Sequence, residues 1–389
     1  MINVKNRLKC SGCSACMNIC PHDAISMKPD KEGFIYPVID KNKCINCNKC
    51  IRVCPYNNEW EPPHDMQKCI VGYNLNPDER EAGSSGAIFS LLAMQTLEDG
   101  GVVFGAAYDK DFMVFHSKAE TPEQLKSLIG SKYLQSRIET SYRQVQEYLQ
   151  NNRKVLFVGT TCQIAGLKGY LRKDYDQLLC VDFVCLGIPS PLVWKDYLVT
   201  YFPGETIIHV NFKSKSRGWH TFSLAIDTDK QHFSKDGKST FFFSGYFKGL
   251  YSRPCCSDCI FKNNKNRISD ITLSDSWGCE EFAAEMDDNK GLSNIIIHND
   301  KGDKAFLSIK NKICYKQVEF EKIIEGNKNY YYSLPMGSRR DEFWSEYDGS
   351  EKKVLFRKYC SSNYGIKKVY RTIKLSLKGL FRKRKYDCF

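Results

Sequence analysis

The chain has 389 residues, 42% apolar and 26% charged, a balance that excludes a disordered polypeptide and leaves room for two or three domains. Its formal charge of +12 is concentrated at one end: residues 351–389 hold thirteen Lys and Arg against Glu351 and Asp387, so the other 350 residues are near neutral. A general nucleic-acid footprint is therefore excluded, and no window approaches the ~18 consecutive apolar residues of a membrane span.

In chain order, residues 1–60 form the first predicted unit, with eight of the nineteen cysteines and two prolines in a duplicated pattern. The paired prolines of residues 60–65 read as a linker. Strand-like and helix-like runs then alternate. Helices are predicted over 87–97, 142–149 and 163–171, and strands over 102–107, 154–158 and 178–184, with Pro191 opening a further helix at its most tolerated position. Such alternation predicts an α/β domain with a parallel or mixed sheet. Aromatic and β-branched runs at 207–212, 221–226 and 240–243 predict an antiparallel insertion. Strands at 271–273 and 294–298 and a helix near 303–313 complete the body. The expected organisation is 1–60, an α+β ferredoxin-like module; 66–150 and 151–335, two parts of an α/β region; and 351–389, a basic tail.

The cysteines are bunched, odd in number, and preceded by a start that lacks an apolar leader, so reduced thiolates in a cytoplasmic compartment are expected rather than disulfides. Cys10, Cys13, Cys16 and Cys20 precede Pro21, and Cys44, Cys47, Cys50 and Cys54 precede Pro55. Both are the C-x2-C-x2-C-x3-C-P run of two-cluster ferredoxins, in which three cysteines grip one cubane and the fourth reaches the other. Cys10, Cys13, Cys16 and Cys54 are thus expected to hold one [4Fe–4S] cluster, and Cys44, Cys47, Cys50 and Cys20 the second. Structural zinc also uses Cys-x2-Cys pairs, but it needs neither a third cysteine at that interval nor a Cys-Pro in both copies.

Residues 66–330 contain no G-x-G-x-x-G and no Walker A motif. Six short segments nevertheless occur in order: Ser84-Ser85-Gly86-Ala87, residues 130–136, residues 158–167 around Cys162, residues 182–187 around Cys185, Arg253-Pro254-Cys255-Cys256-Ser257-Asp258-Cys259, and Asp270 to Gly278. Together they resemble the coenzyme F420 hydrogenase/dehydrogenase beta-subunit family, in its form with an N-terminal ferredoxin domain. The resemblance implies a flavin, FAD rather than FMN, and a third [4Fe–4S] cluster on Cys162, Cys185, Cys256 and Cys259. From the residues alone, Cys162 and Cys185 read equally well as buried small hydrophobes, and Cys162 as a lone nucleophile. Cys255 replaces a small residue and is taken as a bystander. The flavin contacts implied are Ser85 and Gly86 near a phosphate, Lys132 as its counter-charge, and Tyr133 or Gln135 at the ring. The family's second glycine is Ala87 here, and its Gly-Asp-Phe-Trp-Gly reads Ser274-Asp275-Ser276-Trp277-Gly278.

The function expected is a flavin-dependent iron–sulfur oxidoreductase acting on an organic small molecule, with a ferredoxin or reductase as redox partner. Fused members of the family occur with cell-surface polysaccharide enzymes, which suggests that setting. The alternative is an electron-transfer subunit without a substrate of its own, or a redox sensor at Cys162. Arg217-Gly218-Trp219-His220 reads as a tight turn. Cys69, Cys180, Cys279, Cys314, Cys360 and Cys388 lack partners at ligand spacing. In residues 365–385 the apolar side chains fall on one helical face among basic ones, which suits an anionic membrane surface, an acidic partner, or docking on the body.

Overall fold

A computed structural model describes residues 2, 6–58, 68–262 and 267–361. The predicted linker at 60–65 and the basic amphipathic segment at 365–385 lie outside these residues.

The N-terminal module shows its duplication in the backbone. Helices Ala15–Asn18 and Lys49–Arg52 each follow a residue in the left-handed region, Ser14 (φ 61°) and Asn48 (φ 58°). Two residues earlier, Gly12 (φ 69°) and Asn46 (φ 55°) repeat that conformation. Each cysteine loop therefore coils tightly enough to turn successive side chains toward one point. Strands β1 (Ile25–Pro29) and β2 (Ile35–Ile39) pair antiparallel between the two loops.

The body is built on eight strands: β3 (Lys68–Asn74), β4 (Val102–Tyr108), β5 (Val114–Ala119), β6 (Val155–Gly159), β7 (Leu178–Phe183), then, after three strands of a separate sheet, β11 (Ile271–Asp275), β12 (Ser293–Ile297) and β13 (Ile313–Gln317). Their order is β13-β3-β12-β11-β7-β6-β4-β5. The central four, β11-β7-β6-β4, run parallel, and antiparallel strands close both flanks. Strands from 66–150 and from 151–335 thus share one sheet. Period-two alternation covers both faces. Val102, Phe104, Val155, Phe157 and Cys180 pack under helices Ser141–Gln150 and Thr161–Leu171. Val103, Leu156, Val181 and Ile271 pack under Ile88–Glu98 and Asp300–Ile309.

The separate sheet is antiparallel, of strands β8 (Ile207–Ser214), β9 (Ser223–Thr228) and β10 (His232–Asp236), in the order β10-β9-β8. Its third strand is not the expected 240–243 run. Thr240 caps helix Phe241–Phe247 by accepting from the Phe243 N–H, and the helix turns Phe242 and Phe243 into an aromatic core with Trp194, Phe212 and Tyr251. A local cap and tertiary burial override β propensity there. Similarly, the helix expected at 303–313 is Asp300–Ile309, because Asn299 caps it early, and β13 takes the residues beyond.

The N-terminal module docks on helix Thr161–Leu171. A Cβ on Gly166 would stand 3.0 Å from Cys13 Sγ, and one on Gly169 would stand 2.6 Å from the Val53 carbonyl. Arg143 ties the seam by donating to the carbonyls of Asn18, Met17 and Cys20 and pairing with Asp23 at 2.7 Å. A buried ion pair between Arg340 and Glu32 adds a second tie.

Candidate functional site

The N-terminal cysteines gather into two groups. Burial pushes the Cys13 thiol up to about 12, and Cys54 and Cys10 add to the rise. Cys16 is raised first by burial and then by Cys13, Cys10 and Cys54. These four sulfurs therefore crowd one another. Cys20, Cys44, Cys47 and Cys50 line one small cavity with Ile25 and Ile39. Backbone N–H groups two residues on, at Gly12, Ala15 and Tyr56, point at Cys10, Cys13 and Cys54. Buried thiols that oppose one another's ionisation, while receiving N–H donors, suit a cationic iron core that takes up the thiolate charge. This donor set fits cubane iron–sulfur clusters.

A third group forms at the carboxyl ends of the parallel strands, the face where open α/β sheets place their sites. Cys162 lies in the first turn of helix Thr161–Leu171. Thr160 caps that helix in a reciprocal box with Gln163, and its hydroxyl lies 3.1 Å from Cys162 Sγ. Cys185 follows β7. Burial raises Cys162, with further contributions from Cys259, Cys255 and Cys185. Cys256 also feels Cys185 and Cys162, and a backbone N–H from Phe261 points at Cys259. Four cysteines separated by up to 97 residues in sequence thus converge. Cys255 is buried, and its thiol is pulled down, first by Cys256 and then by Arg253 and Tyr56. Tyr56 follows the Cys54-Pro55 pair, so this interaction joins the N-terminal group to the third.

Beside the third group opens a cavity of about 280 Å³, near the lower end of the ~300–1,000 Å³ usual for ligand pockets. Its wall includes Cys162, Cys185, Ser85, Lys132, Tyr133 and Gln135. Gly86 does not line it, and the phosphate role expected for that glycine is corrected. The Gly86 N–H is taken by Ser293 Oγ at 2.9 Å, and a Cβ there would stand 2.4 Å from the Gly72 carbonyl, so close strand packing demands the glycine. Ser85 Oγ donates to the Leu292 carbonyl. Ala87 precedes the helix at φ 59°, a conformation glycine adopts more readily. Lys132 is half-buried on the cavity wall, where the loss of water around its ammonium pushes it down to about 7, and its Nζ donates to the carbonyls of Ile129 and Gly130 at 3.1 Å each. The Tyr133 ring meets Phe243 edge-on, and the Gln135 amide bridges the Ser11 carbonyl and Arg253.

Further polar residues at this site had only weak sequence signals. His116 is buried on the cavity wall between Ser136 Oγ (2.6 Å) and the Val158 carbonyl (3.0 Å), and burial lowers it to about 4. Asp275 ends β11 and accepts from Lys213 Nζ at 2.6 Å and from Trp219 Nε1 at 3.1 Å. Trp219 in turn stacks on Trp277 at 4.7 Å, so the predicted tight turn at Gly218 (φ 80°) carries a core tryptophan. Asp182, fully buried on β7, accepts from Thr161, Arg267, Ser269 and Thr272. Cys279 gathers with Glu280 and Asp287, although Asp287 is already bonded to His220 at 2.9 Å. Among the described residues no helix is long and apolar enough to cross a membrane.

Residues 152–323 match the family described as the C terminus of the coenzyme F420 hydrogenase/dehydrogenase beta subunit. Two descriptions of a 4Fe-4S dicluster domain match residues 9–58 and 36–87. No curated protein matches the chain. Thirteen chains of solved structures do. One belongs to the F420-reducing [NiFe] hydrogenase complex from Methanosarcina barkeri, studied by xenon derivatization; at 16% identity it aligns over 70% of this chain and 93% of that one, with a TM-score of 0.47.

Proposed function

We propose, for a chain that belongs over residues 152–323 to the coenzyme F420 hydrogenase/dehydrogenase beta-subunit family and carries a 4Fe-4S dicluster domain, that it is a flavin-dependent iron–sulfur oxidoreductase acting on an organic substrate at the 280 Å³ cavity. The observation that carries this reading is the position of Cys162, Cys185, Cys256 and Cys259. Two of them, Cys162 and Cys185, form part of the cavity wall, where Ser11 and Gly12 of the N-terminal module also stand. Three cubanes on these twelve cysteines would give a chain of one-electron carriers. A flavin in the cavity supplies the exchange between single electrons and electron pairs that reduction of an organic molecule needs.

The residues have distinct parts in this scheme. Cys47 is exposed and Ile45 is 61% exposed, so the outer N-terminal group presents an apolar, lysine-flanked face to a ferredoxin or reductase. Tyr56 and Cys255 hold the inner group against the third. Lys132, Tyr133 and Gln135 position the flavin, and the neutral His116 keeps its Nε2 proton on the Val158 carbonyl. Electron flow in either direction uses the same arrangement. The occurrence of fused family members with cell-surface polysaccharide enzymes supports a substrate from that metabolism. The test is iron, sulfide and flavin content after anaerobic reconstitution, with about twelve irons and one flavin per chain expected. About eight irons without flavin would leave an electron-transfer subunit with no substrate of its own, and zinc in place of iron would end the reading altogether.

A further inference from the structure

Arg253 begins the turn that carries Cys255, Cys256 and Cys259, and it is 1% exposed. Its guanidinium crosses the seam into the N-terminal module. Nε donates to the Cys10 carbonyl at 2.9 Å, Nη2 donates to the Ile35 carbonyl at 2.9 Å and reaches Cys10 Sγ at 3.7 Å, and Nη1 donates to Gln135 Oε1 at 2.9 Å. The Tyr36 ring lies 4.4 Å from its centre. Its charge also acts on the Cys255 thiol. None of these partners is a carboxylate.

A buried guanidinium without a carboxylate is costly unless other negative charge faces it. Among the named partners only sulfur can supply that charge, and Cys10, whose Sγ lies 3.7 Å from Nη2, is a ligand of the inner N-terminal group. Among the described residues the outer group has no buried guanidinium of this kind: Arg52 reaches the Cys47 carbonyl at 3.5 Å, exposed to solvent. Reduction of a cubane adds one negative charge, and a buried cation with an N–H aimed at a ligand sulfur favours that reduced state, whereas solvent screens an exposed one.

We infer that Arg253 is a positioning residue that raises the reduction potential of the cluster on Cys10, Cys13, Cys16 and Cys54 above that of its twin. Electrons then settle on the inner cluster, beside the third cysteine group. The inference rests on the cubane reading of the cysteines, and iron content tests that reading separately from potential.

The experiment is an anaerobic redox titration followed by electron paramagnetic resonance, on the full chain and on R253M, R253Q and R253K. At unchanged iron content, R253M should shift one N-terminal potential downward by a tenfold or greater change in the reduction equilibrium, about 59 mV for one electron, and leave the other in place. R253K, which keeps the charge, should recover at least half of that shift. Should R253M fail to load iron, R253Q removes the charge while keeping a donor, and the same fall is expected of it. Unmoved potentials in iron-replete R253M or R253Q would overturn the inference, as would equal shifts of both N-terminal clusters or a lysine variant no better than methionine.

Discussion

Replacing Asp182 by asparagine tests how the third cysteine group is held in place. Asp182 accepts hydrogen bonds from Thr161 (2.5 Å), Arg267 (2.9 Å), Ser269 (2.9 Å) and Thr272 (2.5 Å), and Thr272 also meets His298 at 2.8 Å. Asp182 is 0% exposed and Arg267 2%. Asparagine preserves the shape but removes the charge, and it turns an NH2 group toward an array of donors. Breaking a buried pair from one side costs about 3–5 kcal/mol, because the remaining charge stays buried. Each kcal/mol moves Tm by ~2–4 °C in a domain of 150–250 residues and by less in a larger one, so a fall of at least about 5 °C is expected. Thr161 adjoins Cys162, and Cys185 follows Asp182 by three residues, so iron should also fall, by about four atoms per chain. Melting by circular dichroism and iron analysis under anaerobic conditions read both effects. The double variant D182L/R267M should regain part of the lost Tm, since no charge is then left buried. A D182N protein within 1 °C of wild type, or a double variant worse than D182N, would refute the buried-charge argument.

Gly166→Val should loosen the docked module, since its Cβ would stand 3.0 Å from Cys13 Sγ and 2.8 Å from Tyr142 Oη; overpacking of ~1–3 kcal/mol should outweigh the gain in helix propensity and appear as a lower urea midpoint than wild type. His116 sits near 4 in the fold against an ordinary 6.5, so its contribution is present above pH 6.5 and is lost as pH falls toward 4. Between pH 7.5 and 5.5 the wild type should lose about 1.4 kcal/mol that H116Q does not lose, measured as the difference between their urea midpoints. Lys132, lowered to about 7, is charged below that pH and neutral above it. If it serves a flavin phosphate, binding followed by fluorescence should weaken by up to roughly tenfold between pH 6 and pH 8, and K132M should be flat over that range.

Local spacing made the N-terminal ligand groups legible, because a cubane dictates intervals of three residues within a single loop. Strands β4, β6 and β7 were equally readable, since parallel central strands must be apolar on both faces. The same reasoning put a strand at 240–243, where a Thr240 cap and an aromatic core make a helix. It also passed over β10, whose His232 to Asp236 run is polar apart from Phe233, which packs on Phe202, and is held by its antiparallel pairing with β9.

The sequence by itself determined the chemistry of the first sixty residues and the alternating frame of the body, because both are set by neighbours a few positions apart. Only the tertiary structure decided that Cys162, Cys185, Cys256 and Cys259 meet, that Gly86 serves packing, and that Arg253 and Cys255 span the seam to Cys10 and Tyr56. Those relations join residues up to 243 positions apart. They exist only once the sheet has closed and water has left the seam, and it is that burial that makes an unpaired guanidinium seek the sulfur of another module.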